Sequence, residues 1–141
     1  MNTTKIRPAA RKDLSACEKL GKIREFRMPT GNYFKIPYLK YYLNKNLFLV
    51  AEKNNSIIGL LIAEPIQAKG ALLWFFTVKK SDRGKGIGKK LIKEFERNCG
   101  KLGIEWIILH APLENKLTGK FYKKAGYAKG KNLVEFEKLF I

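Results

Sequence analysis

Glycines occupy every second position between a predicted strand and a predicted helix, at Gly84, Gly86 and Gly88. A glycine has no side chain, so its backbone amide can approach a ligand closely. The free N–H groups and the partial positive charge of a helix N-terminus also favour phosphate. Cations in the same run add full positive charge. The sequence therefore predicts a phosphate-binding loop made of Arg83, Gly84, Lys85, Gly86, Ile87, Gly88 and Lys89.

The loop fits neither of two common phosphate-binding motifs. A P-loop has its first glycine five residues before a Gly-Lys-Ser/Thr run, whereas Arg83 holds that place here and Lys90 follows Gly88-Lys89. The dinucleotide fingerprint needs a third glycine where Lys89 stands, inside a parallel βαβ unit. A turn that binds nothing is the alternative, but alternating glycines cost backbone entropy and the adjoining cations repel one another. We therefore favour a phosphate site.

The elements that position this loop follow from the spacing of apolar residues. Asn54-Asn55 lies between two apolar runs and predicts a tight hairpin turn. The run before the glycine loop is nearly all apolar, which predicts burial on both of its faces. The order of elements indicates a mixed α+β fold with helices packed on a sheet. The predicted strands are Lys5–Pro8, Leu47–Glu52, Ile57–Ala63, Ala71–Val78, Glu105–Leu109 and Leu133–Phe140. The predicted helices are Asp13–Arg24 with Asp13 as its cap, Pro37–Asn44, Lys85–Leu102 and Leu117–Lys124.

The 141 residues suit a single domain, 1–141, that is large enough for a core without disulfides. Cys17 and Cys99 form no CxxC pair and His110 is the only histidine, so we expect no metal site and two reduced, buried thiols. No apolar run is long enough to span a bilayer, and Met1–Lys5 lacks the apolar core of a signal peptide. We expect no membrane contact and a cytoplasmic location.

The net charge is +17, from 29 basic and 12 acidic residues. Such a surface attracts phosphates, nucleic acids and acidic proteins, although we expect most of the lysines to be simply solvated. A basic nucleic-acid-binding module is thus an alternative function, with aromatic side chains stacking on bases. No nucleic-acid motif is present, and such a module does not need three alternating glycines. We therefore do not favour nucleic acid as the partner.

The run from Arg83 to Gly88 resembles the acetyl-CoA loop of the GNAT superfamily of N-acetyltransferases. The family pattern, Arg/Gln-x-x-Gly-x-Gly/Ala, is met by Arg83, Gly86 and Gly88. The family commonly continues with an asparagine, a short helix, a tyrosine and a Gly-Phe/Tyr turn, matched here in order by Asn115, Tyr122, Gly126 and Tyr127. The resemblance covers nearly the whole chain. It implies a GNAT-like, mostly antiparallel central sheet of about six or seven strands flanked by about four helices.

The same resemblance implies acetyl-CoA as the cosubstrate and no metal. The amides from Arg83 to Lys89 would hold the CoA pyrophosphate. The residues Phe76, Thr77 and Val78 would line the pantetheine arm, which would pair with the strand edge as another strand does. Asn115 would close the cofactor site. The chain would act as a monomer or a homodimer, and a CoA-binding protein without catalysis is the remaining alternative.

The chemistry of acetyl transfer defines the catalytic groups. An amine attacks the thioester carbonyl, and the resulting oxyanion needs a donor, which we expect to be the backbone amide near Val78. The leaving thiolate needs a proton, which a tyrosine hydroxyl with a pKa near 10 can supply. By resemblance Tyr122 is this acid, and the alternative is a tyrosine that only packs between a helix and the sheet.

The attacking amine must also lose a proton, and His110 is the predicted base. It ends a predicted strand, where GNAT enzymes that modify protein N-termini often carry an acidic residue. Its ordinary pKa near 6.5 suits a base at neutral pH. A histidine that merely packs there, Glu64 as the base, and water remain alternatives, with Glu64 otherwise a solvated residue before Pro65.

The acceptor region of the family corresponds to Gly21–Asn46, in which aromatic and basic residues are interleaved. We expect most of the aromatics to pack beneath the helices. Together with the basic residues, the remainder suit an acidic peptide, a nucleotide-like molecule or the apolar body of a small amine. The acceptor amine would be a protein N-terminus, a lysine or a small amine, and the sequence does not choose between a peptide and a small molecule. The aromatic residues concerned are Tyr33, Phe34, Tyr38, Tyr41 and Tyr42, and the basic ones are Lys22, Arg24, Arg27, Lys35, Lys40 and Lys45.

Overall fold

The computed structural model describes residues 3–140, which fall into two compact units, the first ending at Leu109 and the second beginning at His110. The first unit contains a five-stranded sheet in the order β1-β2-β3-β4-β5. Its strands are β1 (Lys5–Pro8), β2 (Phe48–Lys53), β3 (Ser56–Ile66), β4 (Gly70–Val78) and β5 (Trp106–Leu109). Its helices are α1 (Leu14–Leu20), α2 (Ile36–Leu43) and α3 (Ile87–Lys101), and the second unit contains α4 (Lys116–Lys124).

Strands β1 to β4 pair antiparallel in succession, and β5 pairs parallel to β4 after the crossover through α3. The predicted mixed α+β fold, with a mostly antiparallel sheet and four α-helices in residues 3–140, is confirmed. The predicted strand count is wrong. The described chain has five strands rather than six or seven, because Leu133–Phe140 is assigned no strand and its side chains are exposed. Apolar content predicted a strand there, but a strand also needs a hydrogen-bonded neighbour.

The two faces of the sheet carry different helices. Leu60 and Ile62 of β3 share a buried core with Leu14 of α1 and with Leu39 of α2. On the opposite face a side chain added at Gly59 would contact the side chain of Leu91 in α3. Side chains alternate between the faces of a strand, so α1 and α2 cover one face and α3 covers the other. The buried side chains of α3 are Ile87, Leu91, Ile92, Phe95 and Cys99, as its apolar stripe predicted, except that Leu102 is exposed.

The predicted end of the first helix is wrong. The helix ends at Leu20 rather than near Arg24, and a short 3-10 turn follows at Arg24–Phe26. The ring of Phe34 packs directly on Gly21, so closely that an added Cβ would overlap it. The absence of a side chain at Gly21 therefore leaves room for the buried ring of Phe34, and the helix ends just before this position.

Asp13 was predicted to cap the first helix through its side chain, and the structure gives it another role. Its carboxylate accepts two hydrogen bonds from the Arg7 guanidinium, at 2.7 and 2.8 Å, and a third from the backbone N–H of Ala10 at 2.7 Å. The Arg7 hydrogen bonds hold the pKa of Asp13 below its usual range. Arg7 also contacts Glu52 at 3.2 Å, so this cluster ties β1 and β2 to the turn that precedes α1.

The two cysteines are free and buried, as predicted. Burial raises the pKa of the Cys17 thiol to about 12 and that of Cys99 to about 11. Within residues 3–140 no group of His, Cys, Asp and Glu side chains is placed to hold a metal ion. No helix of that range is long and apolar enough to cross a membrane. The predicted absence of a signal peptide partly concerns Met1 and Asn2, which lie outside the described residues.

The turns at the ends of β3 adopt left-handed backbone angles. Asn54 and Asn55 have φ of 51° and 62°, which confirms the predicted hairpin turn. The turn between β3 and β4 was not predicted to need such angles, yet Ala68 and Lys69 both have φ of 59°. A non-glycine residue pays about 1–2 kcal/mol for this conformation.

We expect Ala68→Gly to raise the free energy of unfolding by about 0.5–1 kcal/mol, because the left-handed strain disappears and only part of that gain is offset by the entropy of glycine. Urea unfolding of the whole chain measures it. The matched control is Ala10→Gly, since Ala10 is exposed with φ of −125° and has no such strain. Ala10→Gly should lower stability, and equal changes in the two variants would contradict the strain argument.

Candidate active site

The glycine loop leads from the end of β4 into the first turn of α3. Gly84 and Gly86 have φ of 77° and 81°, a region that side chains with a Cβ rarely adopt. A Cβ added at either glycine would meet nothing within 4 Å. Glycine is therefore required by the backbone conformation rather than by crowding, and the space in front of the loop is open to a ligand.

The first turn of α3 presents backbone donors toward the same loop. Gly86 is its N-cap, and the first helical hydrogen bond runs from the Lys90 N–H to the Gly86 carbonyl. The amides of the first turn consequently lack intrahelical acceptors. Exposed cations surround them, namely Lys79, Lys80, Arg83, Lys85, Lys89 and Lys90. This arrangement of amides, helix terminus and cations suits a diphosphate.

Two side chains fix the shape of the loop. Arg83 donates from Nε to the Val78 carbonyl at 2.8 Å, which folds the loop back onto the end of β4. The buried carboxylate of Asp82 lies 3.6 Å from Lys53 Nζ and 3.9 Å from Lys85 Nζ. Asp82 thus links the loop to the end of β2. Sequence reasoning missed Asp82, since an aspartate among cations reads as one more solvated charge.

Strands β4 and β5 separate halfway along β4. Their parallel ladder runs from the pair Gly70 and Trp106 to the pair Leu73 and Leu109, and β4 then continues to Val78. The Lys79 N–H bonds the Ile58 carbonyl. Hydrogen-bonded and non-hydrogen-bonded pairs alternate in an antiparallel ladder. The next pair, Val78 and Gly59, is therefore a non-hydrogen-bonded pair, and the amide and carbonyl of Val78 point away from β3. The gap between β4 and β5 therefore receives a backbone donor beside the glycine loop.

A β-bulge lies where the two strands part. Ile62 is opposite Phe75 and Ala63 is opposite Leu73, so Trp74 is the extra residue of β4. Phe75 packs against the rings of Phe26 and Phe34, on the face that carries α1 and α2. Trp74 is 45% exposed, so the prediction of burial on both faces of this strand fails at the bulge.

The bulge brings Glu64 into a hydrogen-bonded cluster. Its Oε1 accepts from the Trp74 indole N–H at 2.9 Å, and its Oε2 accepts from the Tyr41 hydroxyl at 3.2 Å. Glu64 is half-buried, and the ammonium of Lys45 lies 4.5 Å from the centre of the Tyr41 ring. The sequence analysis considered Glu64 but missed both of its partners. A nearly all-apolar strand such as β4 has no alternation of polar and apolar residues, so its sequence does not mark where a bulge lies.

The aromatic residues of the predicted acceptor region divide into two groups. Phe34 and Tyr42 are buried, with the Tyr38 and Tyr42 hydroxyls 2.9 Å apart, and burial raises the pKa of Tyr42 well above its usual value. Tyr38 and Tyr41 are 37% and 54% exposed. Tyr33 is half-buried. The expectation that most of these rings pack beneath the helices is therefore wrong, because only Phe34 and Tyr42 are buried. Tyr41 remains at the surface and bonds Glu64.

The second unit holds three of the predicted site residues. Asn115 is the N-cap of α4, and its side-chain oxygen accepts from the Thr118 N–H at 3.2 Å. Tyr122 is buried in α4 beside the rings of Phe121 and Tyr127, and this burial raises the pKa of its phenol. His110 is exposed. The predicted helix with its asparagine and tyrosine is thus present, and it begins one residue earlier than expected.

The chain matches one family model, described as an acetyltransferase (GNAT) domain, over residues 44–129. The match spans β2 to the end of α4 and includes the glycine loop and the bulge. No curated protein matches the chain in sequence.

Solved structures resemble the chain along most of its length. An aminoglycoside acetyltransferase from an uncultured soil metagenomic sample is 25% identical, with a TM-score of 0.75 and coverage of 98% of this chain and 97% of that one. The PaiA N-acetyltransferase from Thermoplasma acidophilum, in complex with coenzyme A, is 24% identical, with a TM-score of 0.73 and coverage of 87% and 88%. Ard1 from Thermoplasma volcanium is 20% identical, with a TM-score of 0.77 and coverage of 91% and 84%.

Proposed function

Because the chain belongs to the GNAT acetyltransferase family, and is thus an acyltransferase, we propose that it transfers an acetyl group from acetyl-CoA to an amine by direct attack in a ternary complex. The observation that carries this proposal is the continuity of the glycine loop with the gap between β4 and β5. The glycine loop suits a diphosphate, and the gap between β4 and β5 presents backbone groups to an extended chain such as the pantetheine arm. The acetyltransferase solved with coenzyme A has the same fold.

The cofactor would lie along the end of β4. The amides and cations from Arg83 to Lys89 bind the pyrophosphate, and Phe76, Thr77 and Val78 line the pantetheine arm. The Val78 N–H and carbonyl face this side, as the register of β3 and β4 requires. Asn115, the N-cap of α4, is the further cofactor-binding residue of this proposal. This proposal treats residues 1–141 as one functional domain, working in the cytoplasm without a metal.

The transfer itself needs a donor, an acid and a base. The amide near Val78 donates to the tetrahedral oxyanion. The C–S bond then breaks, and the Tyr122 hydroxyl gives its proton to the departing thiolate. His110 removes the proton that the attacking nitrogen loses, with Glu64 or water as the alternative base. Burial raises the pKa of the Tyr122 hydroxyl, so the hydroxyl is protonated across the neutral pH range.

We expect the protein to release CoA from acetyl-CoA when a primary amine is present, with one acetyl group added to that amine. A thiol-reactive dye follows the CoA, and mass spectrometry identifies the acetylated product. The control replaces acetyl-CoA by acetate, which lacks the thioester.

The two alternative functions predict other results. A CoA-binding protein without catalysis would bind acetyl-CoA and release no CoA with any amine. A nucleic-acid-binding module would ignore CoA and bind single-stranded RNA with an affinity that falls steeply between about 50 and 200 mM salt. Either result would contradict the proposed activity.

A further inference from the structure

Glu64 occupies the acceptor side of the proposed reaction centre. Leu60 and Ile62 face the core beneath α1 and α2, and Glu64 follows on the same face of β3 because side chains alternate. In register Glu64 lies opposite Leu72, one position before the last pair between β4 and β5. Its carboxylate is thus placed where the two strands part, on the face opposite α3.

Two donors orient this carboxylate without using up its capacity. Trp74 and Tyr41 each donate one hydrogen bond, to different oxygens. A carboxylate has about four lone-pair sites, so two remain for a further donor. Trp74 and Tyr41 are each about half exposed, so water could accept a hydrogen bond from either donor in the absence of Glu64. The carboxylate is held in place at a surface that a ligand can reach.

The groups around Glu64 combine opposite charges. An ammonium ion is attracted by a carboxylate and by the faces of aromatic rings, which Tyr41 and Trp74 supply. The ammonium of Lys45 lies over a face of the Tyr41 ring, 4.5 Å from its centre, and places a positive charge near the carboxylate. Lys40 and Lys35 add positive charge on and before α2, and the net charge of the chain is +17. A polycation would therefore be repelled, whereas a molecule with an amino group next to an anionic group fits.

We propose that Glu64, Tyr41 and Trp74 form an acceptor seat that binds the amino group to be acetylated, and that Lys45 selects acceptors with a carboxylate close to that amine. The acceptor class is therefore an amino acid-like molecule or the N-terminus of an acidic peptide. This inference rests on the proposed acetyl transfer and adds the identity of the acceptor. Glu64 acts in it as a binding residue.

Steady-state kinetics with three acceptors test the seat: a peptide beginning Ala-Glu, its counterpart beginning Ala-Gln, and spermidine. We expect the wild type to prefer the acidic peptide by about threefold or more in kcat/KM. Glu64→Gln should raise the KM of that peptide about tenfold and leave the acetyl-CoA dissociation constant nearly constant. A fall in kcat at an unchanged KM would make Glu64 the base and overturn its role in binding. Lys45→Gln should remove the preference for Ala-Glu over Ala-Gln.

Glu105→Gln is the matched control, because Glu105 is an exposed carboxylate that forms an ion pair with Lys69, at 3.2 Å, away from the seat. If Glu64→Gln and Glu105→Gln have the same kinetics, or if spermidine is the best acceptor, the seat is overturned while the acetyl transfer stands. If acetyl-CoA binds but none of the three acceptors releases CoA, the acceptor class is overturned. If calorimetry shows no binding of acetyl-CoA, the proposed function fails and this inference fails with it.

Discussion

Acetyl-CoA at about 100 times its dissociation constant should raise the free energy of unfolding by about 2.7 kcal/mol, and Gly86→Ala should remove about half of this gain. Gly86 is the N-cap of α3 with φ of 81°, and a Cβ there would extend into the open space where the diphosphate would lie. We expect the dissociation constant to rise about tenfold, which leaves about 1.4 kcal/mol at the same ligand concentration. Thermal unfolding with and without ligand measures both values.

Gly103→Ala separates ligand binding from backbone strain. Gly103 has φ of 73° just after α3, and a Cβ there also meets nothing within 4 Å. Both substitutions should therefore destabilise the free protein by about 1–2 kcal/mol, but Gly103→Ala should keep the full gain from acetyl-CoA. A wild-type protein whose unfolding temperature is unchanged by acetyl-CoA would contradict the assignment of the glycine loop.

Tyr122→Phe should lower kcat by about a hundredfold or more, with the acetyl-CoA dissociation constant changed by less than about twofold. The substitution removes only the hydroxyl that would protonate the thiolate, and the ring still packs against Phe121 and Tyr127. Stopped-flow detection of CoA release under saturating acetyl-CoA measures kcat. Equal turnover in Tyr122→Phe and wild type would remove Tyr122 from the role of acid.

Tyr127→Phe is the control for this effect, because it deletes a hydroxyl from the neighbouring ring and leaves the hydroxyl of Tyr122 in place. The pH dependence gives a second check. Burial raises the pKa of Tyr122 above the value near 10 expected in the unfolded chain. The neutral phenol is therefore retained up to pH 10 in the folded protein. Its contribution to stability is fully present below pH 10 and is lost progressively as pH rises from about 10 through the higher folded pKa. Activity should show no loss from Tyr122 ionisation below pH 10.

The glycine loop was predictable from sequence because its chemistry lies in consecutive residues. Gly84 and Gly86 adopt positive φ angles, whereas Gly88 lies inside α3, and the cations stand in the same run of sequence. The Asn54-Asn55 turn was predictable for the same reason, since two residues set the geometry locally. Strand ends and helix ends were correct within a few residues where a turn residue marked them, as at Pro8.

The hydrogen-bonded cluster around Glu64 was not predictable, because it depends on the register between distant segments. Glu64, Trp74 and Tyr41 come from two strands and a helix, and only the extra residue in β4 brings the indole to the carboxylate. Nothing in an unbroken apolar run marks that extra residue. The missing strand at Leu133–Phe140 has a similar cause, since apolar content does not reveal whether a pairing partner exists.

The bulge at Trp74 also bears on how such a protein can change. With one extra residue in β4, the side chains of Trp74 and Phe75 lie on the α2 side, while the backbone of Val78 serves the opposite edge of the same strand. In the proposed reaction, acceptor choice would thus depend on the side chains near the bulge, and acetyl-CoA binding would depend on the backbone of β4 and on the glycine loop. Random mutagenesis followed by selection for a new acceptor should therefore accumulate changes at positions such as Tyr41, Lys45 and Glu64, and leave affinity for acetyl-CoA intact.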